Sequence, residues 1–102
     1  MKLKDLKDKM SVPLLAVEVV DWEEIISYGE GERAGTIWPI NVKDESHIGK
    51  VKLFGKQIEQ YRESIKPGVK LIITKGWCKI FKEVPEISTS NYGNIDVVQR
   101  EP

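Results

Sequence analysis

Hydrophobic positions change their period several times along this chain, and the changes mark its elements. Val12 to Val20 is a β-branched and aliphatic run, entered through Pro13 and interrupted by Glu18, the pattern of a strand buried over much of its length. The acids of Asp21-Trp22-Glu23-Glu24 mark its end, and a polar, glycine-rich loop runs from Tyr28 to Gly35. Trp38, Ile40 and Val42 then alternate with Ile37, Pro39 and Asn41, which predicts a second strand. Pro39 cannot donate to a ladder and places that stretch near an edge or a bulge. After the turn Asp44-Glu45-Ser46-His47, Lys50 to Phe54 alternates cleanly as a third strand. Beyond Gly55 the period becomes helical, with Ile58, Tyr61 and Ile65 on one face, so a helix is expected within residues 56–66, stopped by Lys66-Pro67-Gly68. Val69 to Thr74 reads as a fourth strand, kinked at Lys75-Gly76 and continued by Trp77 to Phe81. Pro85 is expected to break the chain before Ile87 to Thr89, and Ile95 to Val98 closes it with a last β segment.

The resulting order, β-β-β-α-β-β, is that of an all-β, five-stranded Greek-key barrel, the OB-fold, with one helix between the third and fourth strands. Its 102 residues suit one domain, residues 1–102, with a leader turn at 1–10 that packs Leu3 and Leu6 and a tail at 99–102. Charged residues amount to 31%, and no apolar run reaches the roughly 20 residues of a membrane helix. Charges at the start stand where a signal peptide would be apolar, so a cytoplasmic chain with no membrane partner is expected. One cysteine, Cys78, excludes an internal disulfide, and with the lone His47 it leaves too few soft ligands for a zinc site.

Net charge is zero, yet residues 43–82 hold nine Lys and one Arg against Asp44, Glu45, Glu59 and Glu63, or +6, which leaves −6 for the remainder. A chain so divided can present one cationic face, and a local face is what attracts an anion. Catalytic arrangements are missing: there is no nucleophile–base pair, phosphate loop or metal-spaced carboxylate cluster, so no enzyme and no cofactor are expected. Gly29, Gly31 and Gly35 mimic a dinucleotide fingerprint, but the third is one position late and Glu30 and Glu32 would repel phosphate.

Strand parity is more informative. Alternate side chains face opposite ways, so Val51 and Leu53 point inward while Lys50, Lys52 and Phe54 share the outer face. On the fourth strand Cys78 and Ile80 form the inner set, and Trp77, Lys79 and Phe81 the outer one. Rings interleaved with cations suit single-stranded nucleic acid, whose bases stack on aromatics and whose phosphates need countercharge. The competing reading buries Phe54 or Trp77 at the barrel rim, under the helix or a loop. Trp38 is assigned to the core with Ile40 and Val42, and Trp22 to neither side.

Asp44-Glu45-Ser46, Lys50-Val51-Lys52-Leu53-Phe54-Gly55-Lys56-Gln57, Lys66-Pro67-Gly68-Val69, Lys75-Gly76-Trp77-Cys78-Lys79 and Asn91-Tyr92-Gly93 together resemble the OB domains of replication protein A and its archaeal relatives. The resemblance covers nearly the whole chain, from Leu3-Lys4-Asp5-Leu6 onward. It implies single-stranded DNA as partner, a base stacked on Phe54, basic contacts from Lys50 and Lys79, and a part for Tyr92. The family's second stacking aromatic falls at Pro85, so Trp77 or Phe81 must supply it here. Two further departures are His47 in place of a turn glycine and Gly49 in place of a core aliphatic.

The expected function is therefore sequence-tolerant binding of single-stranded DNA in replication, repair or recombination. Phe54 with Trp77 or Phe81 would stack on bases, and Lys50, Lys52, Lys79 and Lys82 would meet phosphates. Further OB domains, or replication and repair proteins, are implied as neighbours, and association with the nucleoid follows. RNA binding and a protein-docking OB module remain alternatives on the same residues.

Overall fold

Why the strands curl into a barrel follows from where their apolar faces go. The computed structural model describes residues 1–31 and 34–98, and at 90–92 the backbone alone. A one-turn 3-10 helix (Leu3–Asp5) precedes β1 (Met10–Trp22), β2 (Ile26–Tyr28), β3 (Gly35–Lys43), β4 (Ile48–Phe54), α1 (Lys56–Tyr61), β5 (Lys70–Phe81) and β6 (Val84–Val98). The sheet runs β1-β5-β6-β4-β3-β2, and pairing of β1 with β3 closes five of these strands into a barrel. All barrel pairs are antiparallel except β4 with β6. The strand order and the single α-helix between β4 and β5 are those of the OB-fold expected from the sequence. The β4–β6 seam is the shortest closure, Lys50 opposite Glu86 and Val51 opposite Ile87, and the inner faces of the five strands supply Val17, Val19, Ile40, Leu53, Leu71, Ile73 and Ile87 to one buried cluster.

Three features depart from the sequence reading. The glycine-rich loop carries a short extra strand, β2, which pairs with β3 outside the barrel. α1 ends at Tyr61, shorter than the 56–66 expected, although Ile65 still reaches the core. Pro85 does not break the chain: β5 and β6 join through a two-residue turn at Lys82 and Glu83, both at positive φ, and Pro85 sits buried in β6 opposite Ile80. The missing donor is tolerated there because Pro85 lies at the start of its strand.

Pro39 occupies the kind of place its chemistry requires. Its carbonyl accepts from Glu23 N–H at 2.9 Å, so its nitrogen faces the same side. On that side β1 pairing ends at Trp22 opposite Ile40 and β2 pairing starts only at Ile37, so no ladder bond is lost. The kink expected at Lys75-Gly76 is a bulge, where the register on β6 jumps from Asn94 to Thr89.

The leader explains Gly49. A Cβ there would stand 2.9 Å from Leu3 Cδ2 and 3.2 Å from the Pro85 carbonyl oxygen, and Leu3 is fully buried, so the leader's leucine fills the space that a side chain at 49 would need. The Asp44 turn holds it in place. Leu3 N–H donates to Asp44 Oδ2 at 2.7 Å, Lys4 N–H to Ser46 Oγ at 3.1 Å, and Lys2 pairs with Glu45 at 3.0 Å. Ser46 and His47 N–H groups donate to Asp44 Oδ1. Burial raises the Asp44 pKa, but the hydrogen bonds from Leu3, Ser46 and His47 outweigh it and hold the carboxyl at about 2. A depressed carboxyl pKa stabilises the fold above the unfolded value near 3.8 and loses that contribution as pH falls through about 2. Asp44→Asn is accordingly expected to melt earlier at neutral pH and to lose less stability than the parent between those two values, as a thermal melt against pH would show.

Candidate nucleic-acid interface

Phe54, Lys52, Trp77 and Lys79 come together on one wall of the barrel, across the parallel seam between β4 and β6. They line a groove of about 360 Å³ with Glu86, Ile87 and Ser88. β6 separates the two predicted strands: Trp77 lies opposite Ser88 and Lys79 opposite Glu86 on one side, and Lys50 lies opposite Glu86 on the other. Parity behaves as expected for Val51, Leu53 and Cys78, which are buried, while Ile80, expected in the same inner set, is only half-buried. Phe54 is 36% exposed and Trp77 40%, so neither ring is sunk into the core.

Local chemistry fixes the Phe54 end. Gly55, at φ 50°, turns the chain from β4 into α1, and Gln57 reaches back to accept from Phe54 N–H at 3.3 Å. The same side chain donates to Thr89 Oγ1 at 2.5 Å, tying the end of β4 to β6. Trp77 follows the bulge and forms a second hollow with Ser11, Pro13 and Lys75, about 380 Å³.

Other predicted residues are placed differently. Lys50 lies on β4 but its ammonium pairs with Glu23 at 2.7 Å, and Lys52 pairs with Glu86 at 2.8 Å. Two of the cations assigned to phosphate thus already hold carboxylates. Lys79 is exposed and enters no ion pair among the described residues. Phe81, 59% exposed, stands at the hairpin end rather than in the groove, with the Lys82 ammonium 5.4 Å from its ring centroid. The Tyr92 side chain and the tail at 99–102 lie outside the described residues.

Trp38 is buried, as expected, and Trp22 is exposed and meets it edge-on at 5.8 Å. Cys78 is buried in the core, and burial pushes its thiol pKa up. His47 is an exposed turn residue. The residue missed by the sequence reading is Glu86. Its register opposite both lysine-bearing strands arises from pairing across 36 and 7 residues, and no local pattern signals it. Two larger hollows lie elsewhere. One is lined by Glu18, Lys43, Asp44, Glu45 and Lys70 and has no aromatic ring; the other is lined by Trp22, Trp38 and Arg62 but also by Glu23 and Glu24, which repel phosphate. Among the described residues no helix is long and apolar enough to cross a membrane.

No protein-family model matches the sequence, and no curated protein sequence does. Solved structures do. A replication factor A related protein from Methanobacterium thermoautotrophicum superposes with a TM-score of 0.80 at 11% identity, over 96% of this chain and 89% of that one. DNA-binding domain A of replication protein A from Saccharomyces cerevisiae gives 0.76 at 15% identity, over 100% and 96%. A replication protein A heterotrimer bound to single-stranded DNA gives 0.76 at 14% identity, over 94% of this chain and 24% of that one. Strand order, helix position and these superpositions agree: the chain has the OB-fold in the form those replication protein A domains share.

Proposed function

We propose that this OB domain binds single-stranded DNA with little sequence preference, stacking bases on Phe54 and Trp77 while Lys79, Lys52, Lys50 and Lys82 meet the phosphates. The observation that carries the reading is the shared groove, which sets two half-exposed rings and two ammonium groups along one wall. Trp77 serves as the second platform because it faces that groove, and Phe81 at the hairpin end extends the path. The similar yeast domain is a DNA-binding domain, and the similar heterotrimer was solved on single-stranded DNA, which supports the same ligand here. Binding alone is the task, within replication, repair or recombination at the nucleoid, beside further OB domains or replication proteins.

The test is a titration of the chain with single-stranded and duplex DNA at stated salt. Single strands are expected to bind in preference, at micromolar affinity or so at low salt, because pairing hides the ring faces that Phe54 and Trp77 need. Lys79→Ala should flatten the slope of log affinity on log salt by roughly 0.7, the value per phosphate neutralised on a single strand. Lys52→Ala should flatten it less, since Glu86 already neutralises part of that charge. Equal affinity for duplex, or no binding to either, would sink the proposal and favour a protein-docking role.

A further inference from the structure

Stacking and phosphate contacts leave Glu86 without a part. Its carboxylate lines the groove that holds Phe54 and Trp77, and its side chain is only 17% exposed. Lys52 Nζ stands 2.8 Å from Oε1, and the register sets Lys79 and Lys50 opposite it on either side. A carboxylate at this place opposes a phosphate, so the part of the strand that fits beside it is a base edge. An ionised carboxylate only accepts hydrogen bonds. The exocyclic amino group of cytosine donates to such an acceptor, whereas uracil and thymine put a carbonyl oxygen in the same position.

We infer that Glu86 reads the base stacked in this groove, accepting from the cytosine amino group, and that it gives the domain a preference for cytosine over pyrimidines with a carbonyl there. The inference rests on the single-stranded DNA reading above. Lys52 holds the carboxylate through the same 2.8 Å ion pair, while its remaining donors meet phosphate. The preference is a bias on a tolerant surface, because the stacking rings accept any base.

Titration of the chain with deoxycytidine and deoxyuridine oligomers of about eight nucleotides, within the ~4–16 an OB fold covers, isolates the contact. The two strands share ring size and backbone, and neither carries a methyl group. At near-neutral pH and equal salt the cytosine strand is expected to bind about five- to tenfold more tightly, the low end of the range for a good base-edge contact. Glu86→Gln, which keeps the shape but offers a donor as well as an acceptor, should bring the ratio close to one. Equal binding of the two strands by the unaltered chain overturns the inference and leaves single-strand binding intact; no binding of either overturns both. A preference that survives in a folded Glu86→Gln chain also overturns it. Should that variant fail to fold, Glu86→Ala takes its place in the same titration, with the ratio again expected close to one.

Discussion

A chain carrying both Phe54→Ala and Trp77→Ala is expected to lose single-stranded DNA binding by at least about thirtyfold. Each ring removed costs about 1–3 kcal/mol of stacking, and the two line one groove, so about 2–6 kcal/mol goes with the pair. Neither substitution removes charge, so the salt slope of whatever binding remains should stay that of the parent. Their half-exposure keeps the cost to folding below the roughly 3–5 kcal/mol of truncating a fully buried aromatic. Thermal melting beside fluorescence titration separates the two effects. A folded double variant that binds normally would show that the nucleic acid lies on another face.

The other large effect belongs to the leader. Leu3 is fully buried against Gly49, forty-six residues away in sequence, with no Cβ on the glycine to fill the gap if the leucine is shortened. Leu3→Ala should therefore destabilise the domain by about 2–4 kcal/mol, within the range for buried leucines. For a domain of about 100 residues that lowers the melting temperature by roughly 10–20 °C. An unchanged melt would mean that the leader does not dock on the Asp44 turn in solution. DNA affinity measured well below the melting temperature should hardly change, since Leu3 does not line the groove.

Period and parity carried the sequence a long way. Alternation over residues 50–54 and 77–81 is a backbone property, so it named the outward faces of Phe54, Lys52, Trp77 and Lys79 before any strand was paired. The helical spacing of Ile58 and Ile65 found the segment that reaches the core between β4 and β5, and Pro39 announced the interruption beside β3. Local signals failed where two rules competed. Pro85 reads as a breaker, yet the start of a strand tolerates a missing donor, and nothing in Lys82-Glu83 advertises a tight turn that asparagine and glycine usually make.

What only the tertiary structure decided is the company each outward residue keeps. Parallel pairing of β4 with β6 sets Glu86 beside Lys50, and the antiparallel β5 brings Lys79 from the other side, so a face read as lysines and rings acquires a carboxylate at its middle. Glu23 reaches Lys50 in the same way, from beyond the end of β1. Gly49 leaves a gap in the core pattern of β4, and Leu3 occupies it from the far end of the chain. Periodicity determines which way a side chain points, because that depends on its own backbone; register determines what it meets, because that depends on a strand folded from elsewhere in the sequence.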